Sequence, residues 1–208
     1  MFSPRDSRVV LDDLGDKFPP ALMRATDLTR QDYAEFRSRF PSWVPRFFER
    51  DAANVIHPRI WAHLEDELYG VDGIEFVSRE PHRQINLQTP VGRVYTMRVK
   101  RHSQRDRIRS YRTLSDVRFW SGGIKSTIEG LECINLAVGY RWRRDTRDIG
   151  AAVISYREGK HNVVWAYTID PGSAGSATPF TYTPIVPELP QIDLRDSQDS
   201  HQAEADGR

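Results

Sequence analysis

The chain has 208 residues, 38% apolar and 28% charged, with a formal net charge of +1. That fits one domain with polar appendages and excludes a polycation, so any grip on nucleic acid must come from segregated charge. A lone cysteine, Cys133, excludes an intramolecular disulfide, and no apolar run reaches the ~18 residues a membrane-crossing helix needs.

The N-terminal stretch MFSPRDSRVVLDDLGDKF has acids interrupting its short apolar segment, so it does not read as a signal peptide, and a cytoplasmic protein without membrane contact is expected. Residues 1–28 show no sustained periodicity. Pro19 and Pro20 break any helix there, which predicts an extended N-terminal arm. A domain over 29–170 follows. Thr29 reads as an N-cap, with Tyr33, Phe36 and Phe40 at helical spacing behind it and Pro41 as the stop. A second helix restarts near Ser42–Pro45. Pro58 ends it and begins a third, with Ile60, Trp61, Leu64 and Leu68 as its apolar stripe.

From Gly73 the apolar period changes to two. GIEFVS reads as a strand, and QINLQTPVGRVYTMRVKR as a hairpin turning at Pro90–Gly92. Tyr95, Met97 and Val99 share one face of its second strand, and Thr96, Arg98 and Lys100 the other, the pattern of a half-buried antiparallel sheet. TLSDVRFW predicts a short helix capped by Thr113 or Ser115. Residues 131–170 predict a three-stranded antiparallel meander. Residues 171–208 are rich in Pro, Ser and acids, and read as a disordered acidic tail. The expected fold is therefore α+β: short N-terminal helices packed on a mostly antiparallel sheet of hairpin plus meander.

Chemical motifs are sparse. His57 and His63 lie six apart across Pro58, about 120° apart on a helix, which does not converge on one metal ion. Cys133 in LECINL reads as a small buried strand residue rather than a nucleophile. SGGIKST at 121–127 lacks the spacing of a phosphate-binding loop. Where a metal-dependent nuclease would place Glu-x-Lys on a strand, the chain has Arg98-Val99-Lys100, leaving Glu75 and Glu80 upstream. No catalytic residue, metal ligand or cofactor is assigned.

Charge is the remaining signal. Residues 79–118 hold eleven Lys or Arg against three acids, while Glu188–Arg208 carries a net charge of −4. Candidate nucleic-acid-binding residues are Arg98, Lys100, Arg101, Arg105, Arg107, Arg109, Tyr111 and Arg112, joined by Arg141, Arg143 and Arg144 around Trp142. Cationic sheet edges also guard against aggregation, and Asp145 and Asp148 are placed to neutralise the second cluster. The leading reading is a non-catalytic intracellular regulatory or interaction protein with a protein partner. The alternatives are a nucleic-acid-binding protein using the 98–112 surface and a metal-dependent nuclease-like enzyme. Strand edges also leave a homodimer open.

The stretches GRVYTMRVKR, GLECINLAVGYRW and VISYREGKHNVVWAYTID resemble a group of uncharacterised actinobacterial and phage-associated small α+β proteins. These are encoded near repressor-type regulators and ImmA/IrrE-type metallopeptidases. The resemblance implies a regulatory, mobile-element or defence setting and supplies no catalytic residue. The chain lacks the peptidase's H-E-x-x-H, so it would be a neighbour or partner of that enzyme.

Overall fold

Helices begin almost at once. Asp6 caps α1 (Ser7–Leu14), its carboxylate accepting the Arg8 N–H at 3.0 Å, and α2 runs unbroken from Phe18 to Arg39. The expected extended arm is thus helical, because Pro19 and Pro20 fall in the first turn of α2, where a missing N–H costs no intrahelical bond. Thr29 does not cap a helix either. Its hydroxyl donates to the Ala25 carbonyl at 2.6 Å from the helix interior, and Thr26 does the same to Leu22 at 2.7 Å. After a 3-10 turn over Val44–Arg46, α3 spans Glu49–Glu67. Asp51 accepts the Phe48 N–H at 2.9 Å, one half of a capping box. Pro58 lies inside α3 rather than dividing it.

This is the structure of the chain as a computed structural model, which describes residues 2–79, 82–108, 113–121 and 132–169. The tail expected over 171–208 lies outside the described residues, as do Glu80, Arg109, Tyr111 and Arg112. No helix among the described residues is long and apolar enough to cross a membrane.

Six strands follow: β1 (Ile74–Arg79), β2 (His82–Gln88), β3 (Val94–His102), β4 (Cys133–Arg143), β5 (Asp148–Arg157) and β6 (Val163–Ile169). They form one sheet in sequence order, with β1 and β6 at the edges. Every neighbouring pair is antiparallel except β3 and β4, which run parallel with Arg98 beside Ala137 and Lys100 beside Gly139. The fold is α+β, as expected, but it is two three-stranded meanders joined by a parallel seam. Parallel neighbours require a crossover, and this one carries α4 (Leu114–Ser121), whose N-terminus Thr113 caps by accepting the Asp116 N–H at 3.1 Å.

The crossover puts helices on both faces. On one face, α1–α3 bury Phe18, Leu22, Ile60 and Leu64 against Ile85, Met97, Leu136 and Ile154, all essentially inaccessible to water. Arg30 ties α2 to β5 by donating to the carbonyls of Ile149 and Gly150 at 3.0 and 2.9 Å. On the other face, Phe119 and Trp120 of α4 pack with Ile108 and Ala137 as a smaller apolar cluster. The face of β3 that carries Arg98 and Lys100 is therefore covered rather than solvated, which departs from the half-buried sheet expected from its alternation.

Candidate functional site: the covered cationic face and the cleft beneath α4

Alternation along β3 separates the predicted basic residues instead of gathering them. Arg98 and Lys100 point towards α4 and share Asp116, with nitrogen to carboxylate distances of 3.7 and 3.8 Å. The Arg98 guanidinium lies 3.9 Å from the Phe119 ring centre, a cation–π contact made with the side chain 9% exposed. Arg101 points to the opposite face. It donates to the Glu49 carbonyl at 2.9 Å and pairs with the Glu49 carboxylate at 3.1 Å, against the Trp142 ring.

The second cluster divides in the same way. Arg141 makes a two-pronged ion pair with the buried Asp106, at 2.8 and 2.9 Å. Arg144 reaches Glu49 at 2.9 Å rather than the neighbouring Asp145. Arg147, a few residues further along the β4–β5 connection, donates to the carbonyls of Pro45 and Phe47. Arg143, Arg105 and Arg107 are exposed, and among the described residues no ion pair engages them. The predicted residues thus occupy two faces of a sheet, mostly matched with carboxylates.

Beneath α4 lies a polar network that charge counting did not reveal. Arg157 is buried, at 1% exposure, and donates to Ser155 Oγ at 3.2 Å and to the Asp106 carbonyl. Ser155 in turn meets His102 Nε2 at 3.0 Å, and His102 Nδ1 meets the Lys100 carbonyl at 3.2 Å. The carbonyl can only accept, so Nδ1 carries the proton and Nε2 accepts from the Ser155 hydroxyl. Burial, with the nearby Arg157 and Arg141 charges, holds the imidazole neutral, its pKa down to about 3. Burial also lowers the Arg157 pKa, to about 10.

Beside this network, a cleft of about 350 Å³ opens between α4 and strands β2–β4, lined by Gln84, Thr96, Arg98, Phe119, Cys133 and Asn135, with Ser115 and Arg118 at its α4 side. Arg98 Nε and Asn135 Oδ1 are both buried there without a hydrogen-bond partner among the described residues. Asn135 Nδ2 donates to the Phe119 carbonyl at 2.6 Å, which fixes the orientation of its amide.

A second cleft, of about 310 Å³, lies between α2 and α3, with Tyr33, Phe36, Phe40 and Ile56 on its walls. The Tyr33 hydroxyl is buried there and also unpartnered among the described residues. From this cleft a ladder of rings runs outward: Phe47 to Phe36 (centroids 6.0 Å), Phe36 to Phe40 (5.1 Å) and Phe40 stacked on Trp43 (4.6 Å). Trp43 is 55% exposed and Phe48, at the start of α3, 79%.

The other motifs have ordinary partners. His63 Nε2 lies 2.7 Å from Asp32, and His57 Nε2 lies 3.2 Å from the Val99 carbonyl. Glu75 accepts from Asn86 at 3.1 Å. Among the described residues no group of three or more His, Cys, Asp or Glu is placed to hold a metal ion. No protein-family model matches the chain, and comparison with curated proteins and with solved structures finds no match.

Proposed function

We propose that the chain is a non-catalytic interaction protein that binds an acidic peptide segment of a protein partner along the aromatic ridge between α2 and α3. One observation carries the reading: among the described residues most of the predicted cations are engaged in ion pairs, while large aromatic rings are turned out to solvent. Trp and Phe exposed together are the composition of interface hot spots, and isolated globular chains seldom leave such a group uncovered. The rim favours an acidic segment. Arg46 is exposed two residues before Phe48. At the floor, Tyr33 Oη lacks a partner that a peptide carbonyl would supply. Asp32 and Glu35 do not oppose this, since Arg59 neutralises the first and Arg39 the second. The regulatory or mobile-element setting implied by the strand resemblance suits such an adaptor.

Selection of random displayed dodecapeptides on the full chain tests this. Enrichment of sequences combining Asp or Glu with aromatic or aliphatic residues is expected, with binding weakened at least tenfold by W43A/F48A. Equal enrichment on the variant, or none on either protein, refutes it.

Nucleic-acid binding is the second reading, favoured by the exposure of Arg105 and Arg107 after β3. Anisotropy titration with duplex and single-stranded oligonucleotides at several salt concentrations separates the two. On the peptide reading, binding is weak and R105E/R107E changes Kd less than threefold. Tight, steeply salt-dependent binding lost in that variant would instead make the loop a phosphate-binding surface.

A further inference from the structure

We propose that the cleft beneath α4 binds a small hydroxycarboxylate, the carboxylate on Arg98 and the adjacent hydroxyl on Asn135. The site is independent of the aromatic ridge, on the opposite face of the sheet. Two unmet buried groups of opposite character share it. Among the described residues, Arg98 Nε is a donor without an acceptor and Asn135 Oδ1 an acceptor without a donor. Exposure of the two residues is 7% and 4%. Buried polar groups are almost always partnered, and each exception is costly. Two in one cleft define a ligand with complementary poles.

Charge selects the first pole. Arg98 and Lys100 share the buried carboxylate of Asp116, and Arg118 adds an exposed cation at the α4 side. Arg98 Nη1 lies 3.7 Å from the Asp116 carboxylate, an ion pair beyond hydrogen-bond length, so Asp116 does not satisfy the guanidinium's donors. Phe119 holds that guanidinium from one side.

Asn135 selects the second pole. Its free oxygen would repel an anion that offers only acceptors, which disfavours fully deprotonated phosphate and a bare carboxylate. It calls for a donor beside the carboxyl group. Arg98 and Lys100 disfavour an ammonium as that donor, leaving a neutral hydroxyl. The Thr96 hydroxyl lines the same wall. The volume suits a ligand of a few heavy atoms with room for a short extension.

The test is NMR titration of the full chain with L-lactate, propionate and inorganic sulfate, following the Arg98 Nε–H and Asn135 side-chain amide resonances. Lactate is expected to shift both saturably at millimolar concentration, and propionate, its counterpart without the hydroxyl, to bind at least tenfold more weakly. R98M should abolish the response. R98K, which keeps the charge and loses the Nε donor, should weaken it at least fivefold, and it serves if R98M does not fold. The proposal is overturned if none of the three probes shifts these resonances, if propionate or sulfate binds as tightly as lactate, or if R98K binds like the parent.

Discussion

Gly139→Ala is expected to destabilise the fold by about 4 kcal/mol or more, enough to leave little folded protein at 37 °C. Gly139 sits in the middle of β4 with φ at 149°, where L side chains are strained. Space is the harder limit. A Cβ built there would lie 2.2 Å from the Lys100 carbonyl oxygen, which is backbone and cannot rotate aside. Relief would require moving β3 or β4 at the parallel seam, where Gly139 pairs with Lys100 on one side and Val153 on the other. Gly159→Ala is the control. It shares a positive φ, 96°, but a Cβ would meet nothing within 4 Å, so a loss of only about 1 kcal/mol is expected. Urea unfolding followed by tryptophan fluorescence compares the two, and similar midpoints would show that the seam yields.

Acid should unfold the protein through His102 well before most carboxylates titrate. The imidazole is fully buried, and its folded pKa of about 3 lies below the ordinary 6.5. Because the folded value is depressed, the unfolded chain binds the proton first as pH falls. Stability is complete above pH ~6.5 and declines towards pH ~3, by up to about 1.4 kcal/mol per unit. His57, also pulled down by burial and only partly offset by its bond to Val99, adds in the same direction. Between pH 7 and pH 4.5 the unfolding free energy should fall by about 2 to 3 kcal/mol. In H102Q, whose amide can donate to the Lys100 carbonyl and accept from Ser155, that decline should be at least halved. A wild-type profile flat over this interval would mean His102 gains a counter-charge on protonation.

The strands were legible because alternation is local. β2 through β6 follow the predicted hairpin and meander, and Thr113 caps α4 as expected. The helices were misjudged for an equally local reason. Proline reads locally as a terminator, yet Pro19 and Pro20 occupy a first turn and Pro58 is carried within α3. The character of the basic face was visible; its burial was not. Arg98 and Lys100 look solvated until Asp116, distant in sequence, is brought over them by a parallel pairing that alternation cannot distinguish from an antiparallel one. The cleft was invisible for the same reason, since Arg98, Phe119 and Asn135 lie on three separate elements. The exposure of Trp43 and Phe48 was likewise unreadable, because apolar residues near a helix end look alike whether they turn in or out.

The parallel seam also dictates an order of assembly. β1–β3 and β4–β6 are each built from neighbours in sequence, so either half can zip through short hairpins in microseconds. Joining them means closing the loop over residues 103–132, an entropic cost of about 3 kcal/mol before β3 touches β4. The barrier to folding should therefore lie at the seam. Weakening substitutions at Met97 or Leu136 would slow refolding, whereas changes in β6 would mainly hasten unfolding. A nascent chain released just after β3 would then hold a formed but unfinished half-sheet, with its β3 edge waiting for a strand not yet made.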